Sequence, residues 1–431
     1  MAEGYSGNAQ RVQGNRLLTL TAQSYKRPLY ACAWVAMTSR LKTLLIAALG
    51  SLMRPRGPRE APNWSAGPHR VLYLRYDRIG DMILATGHIK AIVSAQPTVT
   101  VDVLASVGNA AVLRGNPYVK AIVTIDKKRP WSYLTALLRI RRARYDAVVD
   151  AKVLSSSLTC TLIMWASRAR HRIGVAGRGN DSALTLLVNP VQDAFHWVDR
   201  SAALLAAFGV DPQRSAAGHR SALLTAGTYP ATPSASPTTG WGIWRPELFL
   251  TPVELREGEA HWHSGDGLAP YRRGAVRLVV NVSASSRERY WPAEHFITTL
   301  IRIRIRYPDL SALVIGLPED AARMAEIARG AGALVAHTPH YRQMMAIVVS
   351  SDLVLTADTS VTHVASAFAK PVVVMFLGGG GPIWGPYGIA GHIISTDGPS
   401  LQSTDVDPVI RALETLIAAE RSSIKDSTHV A

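Results

Sequence analysis

Cysteine is nearly absent: Cys32 and Cys160 are the two in 431 residues. Two thiols in such different stretches make no disulfide framework, and no Cys/His spacing fits a zinc site, so the expected setting is reducing. Acidic residues are scarce beside basic ones, 31 Asp+Glu against 47 Lys+Arg, a formal net charge of +16. That surplus favours anionic partners such as nucleic acid, acidic lipid head groups or phosphorylated substrates, and charge alone does not choose among them. It comes with no nucleic-acid recognition motif and is dispersed along the chain, so nucleic acid is not an expected partner. A long uninterrupted hydrophobic run is missing too. The apolar stretch from Leu29 to Met53 is broken by Arg40 and Lys42, which leaves too little to span a bilayer. No small-residue cleavage site follows it, so a signal peptide is not expected.

What is present is ample apolar content, 48% hydrophobic, enough for two packed domains plus extensions. Residues 1–68 read as an N-terminal extension. Within it, Leu41, Leu44, Leu45, Ala48, Leu49 and Leu52 recur at helical spacing opposite Arg40 and Lys42, the pattern of an amphipathic helix at a membrane interface or docked on a core. The Arg- and Pro-rich segment from Arg54 to Pro68 reads as a linker.

From Val71 onward, short apolar runs alternate with helical patterns, as parallel sheets require. Expected strands are Val71–Arg75, Thr100–Ala105, Ala121–Ile125, Asp146–Asp150 and His171–Val175, then Leu278–Val282, Ala312–Ile315, Ala333–Val335, Leu353–Leu355 and Val372–Phe376. Helical runs include Met82–Ala95, Trp131–Arg142, Leu154–Ser167, Pro292–Arg306, Glu319–Arg329 and Asp405–Glu420. The Ser-, Thr-, Pro- and Gly-rich stretch 216–274 separates the two series. The expected fold class is therefore α/β of the GT-B kind: Rossmann-like domains over 69–215 and 275–425, their parallel sheets facing a central cleft. Dehydrogenases, epimerases and periplasmic binders also pair α/β domains, so the fold alone leaves function open. A nicotinamide-binding first domain is disfavoured, because its first turn lacks G-x-G-x-x-G.

Three strand-to-helix turns carry chemistry. After the first strand, Gly80-Asp81 places a carboxylate where the helix should begin, with Arg75 and Arg78 before it. The helix dipole keeps such an acid ionised, Gly80 admits close approach, and the carboxylate can serve as a general base toward a hydroxyl; a plain N-cap is the structural alternative. Asp358-Thr-Ser-Val-Thr-His363 offers hydroxyls and N–H groups at a helix mouth, suited to a diphosphate, with His363 one turn in; a cap with a packed histidine is the alternative. Asn281-Val-Ser-Ala-Ser285, followed by Arg287, Arg289 and Trp291-Pro292, offers a hydroxyl and guanidinium clamp for an oxyanion, or else a helix start beside a solvated charge.

Together these turns, in order and spacing over roughly Val71 to Gly388, resemble the glycosyltransferase family 9 heptosyltransferases. Arg75 to Asp81 is similar to the family's Arg-x-x-x-Ile/Leu-Gly-Asp segment, Arg289-Tyr-Trp-Pro292 to its Lys/Arg-x-Trp-Pro segment, and Asp358 to His363 to its Asp-Ser/Thr-x-x-x-His signature. Lys370 to Phe376 and Trp384-Gly-Pro-Tyr387 also have counterparts. The resemblance implies an inverting, metal-independent transferase that needs no resident cofactor. It would move heptose from ADP-heptose to a lipopolysaccharide core or related anionic, lipid-linked saccharide on the cytoplasmic face of a bacterial inner membrane. Carried over, Asp81 is the base. Arg289, Ser283 and Ser285 steady the leaving diphosphate, Thr359, Ser360 and His363 bind the same group, Asp358 lies near the ribose, and Arg75, Arg78 and Gly80 lie on the acceptor side. No Asp-x-Asp motif for a divalent ion is expected in the chain. Three departures bear on donor identity: Arg289 where the best-known members have Lys, Ser360 where Gly is frequent, and the flexible run Gly378–Gly381. A nucleotide-sugar epimerase and a catalytically silent nucleotide-sugar binder are the competing readings. The basic runs Lys127-Lys-Arg129 and Arg139–Arg144, beside Trp131, are placed to steer an anionic acceptor or a membrane surface.

Overall fold

Runs such as Val71-Leu-Tyr-Leu74 and Leu278-Val-Val280 are apolar on both faces, so their strands need cover on both sides, the demand that a parallel sheet with flanking helices meets. The computed structural model describes residues 41, 43–53, 60–214, 228–229, 242–263 and 275–428. The chain divides into two units, Met1–Leu45 and Ile46–Ala431. In the first, the described residues are helical and exposed. The second holds both sheets.

The first sheet contains β1 (His69–Leu74), β2 (Val99–Ser106), β3 (Ala121–Ile125), β4 (Ala147–Asp150), β5 (His171–Val175) and β6 (Leu186–Val188), all parallel, in the order β3-β2-β1-β4-β5-β6. The second contains β7 (Thr228–Tyr229), β8 (Arg277–Asn281), β9 (Ser311–Ile315), β10 (Leu334–Val335), β11 (Leu353–Ala357), β12 (Val372–Leu377) and β13 (Gly391–Thr396), in the order β10-β9-β8-β11-β12-β13-β7. Six of its strands are parallel, and β7 lies antiparallel on β13 with Tyr229 opposite Gly391. Each sheet reverses winding direction once, between β1 and β4 and between β8 and β11. At such switch points a crevice opens beyond the carboxyl ends of the strands.

Three buried clusters fill the unit. One joins the helix Ile79–Ala95, Trp197 to Phe208 and the inner faces of both sheets; a second lies under the helices Ala293–Arg306 and Val406–Thr428. The third packs Met53, Ile140 and Ile163 against Leu72 and Val148. The stretch between the sheets is not a free tether where it is described. Glu247 N donates to Thr86 Oγ1 at 2.9 Å, and a side chain at Gly87 would strike the Trp244 carbonyl. Arg342, buried on the helix Tyr341–Ser350, forks onto Glu254 and donates to the carbonyls of Ala111, Arg114 and Phe249 at 2.9–3.2 Å. This one guanidinium ties the second sheet's layer to the first.

Among the described residues, no helix is long and apolar enough to cross a membrane. Of the stripe expected to form one apolar helix face, Ala48 and Leu52 point outward and Leu49 is half-buried. The docked face is instead Ile46, Gly50 and Met53, with Gly50 lying against Ser182 and Arg172 donating to the Met53 carbonyl at 2.7 Å.

Candidate active site

A cleft of about 780 Å³ opens where the two switch points meet. It brings together Arg75, Arg78, Gly80 and Asp81 from the first sheet's side with Ser285, Arg289, Asp358, Thr359, Ser360 and His363 from the second. Ser283 is the one expected residue outside its lining. Its side chain is buried, donating to Asp320 Oδ2 at 2.5 Å and accepting from Leu317 N–H at 2.7 Å. It faces an adjoining cavity of about 400 Å³ lined mostly by apolar groups, including Ile315, Leu317, Pro339 and Met344. Ser285, Thr359 and Ser360 line both the cleft and this neighbour, whereas Ser283 lines the neighbour only.

Asp81 does not precede its helix. The helix starts at Ile79 with Arg78 at the N-cap, whose side chain makes no capping bond, and Asp81 sits in the first turn. The capping alternative therefore fails, although the free N–H groups of that turn still favour its charge. What holds the carboxylate is Arg75, whose guanidinium lies 3.0 Å from Asp81 Oδ1, 3.3 Å from Asp77 and 2.8 Å from the Ala151 carbonyl, and 4.4 Å from the centre of the Trp197 ring. Arg75 is 3% exposed. So buried a cation must be paired, and here two carboxylates, a carbonyl and an indole face share it. Arg75 was expected to face an acceptor; it is an internal brace. Burial pushes the Asp81 carboxyl above its ordinary range, and Arg75 pulls it back.

Gly80 also plays a different part from the one expected. A Cβ there would come within 2.6 Å of His363 Cδ2, so the space above this backbone belongs to an imidazole from the opposite sheet's side. His363 lies on the helix Ser360–Ala367, and burial lowers its pKa to about 4, which keeps the ring neutral near pH 7. Its Nδ1 is buried without a hydrogen-bond partner in the described structure. Thr359 is the N-cap of that helix, accepting from Val361 N–H. It is held from below by Asn281, whose amide also donates to Thr356 Oγ1 at 2.9 Å and so locks the ends of β8 and β11 together.

Arg289 donates to Asp358 at 2.7 Å and reaches Ser285 Oγ at 3.5 Å. Burial raises the Asp358 pKa while Arg289 and Arg78 oppose the shift. Asp358, expected beside a ribose, lines the cleft and anchors Arg289. Lys152, which no motif flagged, and Trp384 of the Trp-Gly-Pro-Tyr segment complete the cleft. Lys152, following β4, stands 3.8 Å from Asp77, and Trp384 stacks on Trp197 at 5.9 Å. A lysine two residues past the carboxyl end of a central strand was the available sequence signal. One Asp-x-Asp string does occur, Asp405-Val-Asp407, but Asp407 pairs with Arg302 on an exposed surface outside the cleft lining.

The family model described as glycosyltransferase family 9 (heptosyltransferase) matches residues 135–405. The chain belongs to glycosyltransferase family 9. As a family 9 glycosyltransferase it shares its fold with several solved structures. A family 9 glycosyl transferase from Veillonella parvula superposes with a TM-score of 0.66 at 16% identity, over 83% of this chain and 99% of that one. ADP-heptose lps heptosyltransferase II from E. coli gives 0.60 at 17%, over 81% and 99%. E. coli heptosyltransferase WaaC, solved with ADP, gives 0.59 at 16%, over 80% and 99%. No curated protein matches the chain.

Proposed function

We propose that this family 9 glycosyltransferase moves heptose from ADP-heptose onto an anionic, lipid-linked saccharide of the lipopolysaccharide core, inverting the anomeric centre without a metal ion. The observation that carries the reading is a single cleft in which a braced, half-buried carboxylate, Asp81, faces a helix mouth suited to an oxyanion. The ADP carried by one structural relative and the ADP-heptose named for another suggest the donor.

In this reading Asp81 is ionised, held so by Arg75, and accepts the proton of the acceptor hydroxyl. The freed oxygen attacks the anomeric carbon from the face opposite ADP, forming the new glycosidic bond as the sugar–phosphate bond breaks. Charge then grows on the departing diphosphate. Arg289, pre-aimed by Asp358, meets it together with Ser285, the Thr359 and Ser360 groups at the helix N-terminus, and the neutral His363 as a donor; fixed dipoles and a guanidinium of this kind can stand in for a metal. The nucleoside extends into the adjoining apolar cavity, where Asn281, Ser283 and Thr338 offer polar groups to its edge. Lys152 and Arg78 receive acceptor carboxylate or phosphate.

The test is ADP release from ADP-heptose by purified protein with and without a Kdo-bearing lipid A acceptor, with the product's anomeric configuration read by NMR. Acceptor-dependent release with inversion is expected. Turnover of the donor without acceptor would point to an epimerase. Binding of ADP with no turnover of any nucleotide sugar would point to a silent binder.

A further inference from the structure

One face of the first sheet is covered by three helices whose inner residues share a single buried cluster: residues 46–53, Pro130–Ala143 and Leu158–Ser167. Their outer faces are apolar where a soluble surface should be polar. Leu52 is 83% exposed, Trp131 78% and Trp165 57%, joined by Leu134, Leu138 and Leu162. Scattered exposed leucines are ordinary, but large side chains repeated on three helices of one layer are not. The same layer is also one-signed. Between Lys127 and Tyr145 the chain has no acidic residue, while Lys127, Lys128, Arg129, Arg139, Arg141 and Arg142 are all exposed there. Arg168 and Arg170 extend the charge past the next helix.

We infer that this layer is a docking surface for an anionic lipid bilayer. Indole and leucine side chains at helix surfaces suit the acyl boundary, and arginines flanking them suit phosphate head groups, reaching outward on their aliphatic stems. A protein partner of matching shape would not require so uniform a charge. The placement is also useful: Pro130–Ala143 begins at the carboxyl end of the first sheet, and Leu154, 44% exposed, belongs both to that end and to the cleft lining. A bilayer on this face lies beside the cleft mouth. The inference concerns adsorption and does not rest on the proposed sugar transfer.

The full chain is sedimented with phosphatidylcholine vesicles with and without phosphatidylglycerol, and no nucleotide sugar is added. Wild type should partition onto the anionic vesicles only. Replacing Arg139, Arg141 and Arg142 by Gln should weaken partitioning on the order of 100-fold, about fivefold per charge. The triple variant Leu52→Ser, Trp131→Ser, Trp165→Ser should weaken it by roughly tenfold or more. ADP binding and circular dichroism, which read folding apart from lipid, should be unchanged in both. Equal partitioning of wild type and variants would overturn the inference. So would a wild-type dimer in gel filtration that the apolar variant converts to monomer without any vesicle binding.

Discussion

Gly80→Ala separates the geometry described above from generic helix behaviour. Gly80 lies in the helix Ile79–Ala95 with an ordinary negative φ, so alanine incurs no backbone strain and, by propensity alone, should stabilise by roughly 0.5–1 kcal/mol. The structure predicts the opposite sign. The new methyl would stand 2.6 Å from His363 Cδ2 and 3.1 Å from its Nε2, about 1 Å inside ordinary contact, so the largely buried ring or the Gly80 backbone must shift to admit it. Overpacking of this kind costs about 1–3 kcal/mol. Because the two residues belong to opposite sides of the cleft, relief comes by separating them. A displacement of about 1 Å between base and donor site lowers kcat by up to about 100-fold. Urea unfolding and steady-state ADP release measure both effects. Repeating the substitution in a His363→Ala background removes the clash, so there Gly80→Ala should be neutral or stabilising. A stabilising Gly80→Ala in the wild-type background, or an equal loss in both backgrounds, would refute the reasoning.

Two further outcomes follow from the buried charges. Arg75→Met removes the cation that opposes the upward shift of Asp81; since an aspartate base works only when ionised, the acid limb of the kcat profile should move to higher pH, with activity partly recovered above it. An unmoved acid limb would show that Asp81 does not titrate in that step. Arg342→Ala should cost about 3–5 kcal/mol, because Glu254 and several carbonyls lose a buried partner. Arg342 also holds the Glu254 pKa down to about 2, below its unfolded value, so this pair stabilises the protein fully above about pH 4.5 and progressively less as pH falls toward 2. The variant's unfolding free energy should show a weaker dependence on pH across that window than wild type.

Much of the fold was legible because most of its strands carry short runs of apolar residues: Ala121–Ile125 and His171–Val175 fall where expected, and the others differ by a residue or two at their ends. The missed strands are edge or near-edge elements. β6 has three residues, β7 two, and β13 reads Gly-His-Ile-Ile-Ser-Thr, half-buried and without a clear apolar run. The start at Ile79 was hidden because Arg78 caps without a side-chain bond and glycine follows at position 80, a pair that reads as loop. Motif spacing gathered nearly all the site residues into one cleft. It did not reveal who touches whom: that Asp358 would be spent on Arg289, that Arg75 would brace Asp81, or that His363 would occupy the space over Gly80 are facts of packing between residues far apart in the chain. Ser283 lies outside the cleft for a similar reason, since its hydroxyl is held between Asp320 and the Leu317 N–H, partners more than thirty residues away in the chain.

The central claim is that Asp81 takes the acceptor's proton, and Asp81→Asn tests it most directly, because the amide keeps the volume and can still meet Arg75 through its oxygen. Acceptor-dependent ADP release and ADP affinity would be measured side by side. The account predicts kcat lower by about 10²–10⁴-fold with ADP affinity within a few-fold of wild type. Turnover close to wild type in Asp81→Asn would contradict it.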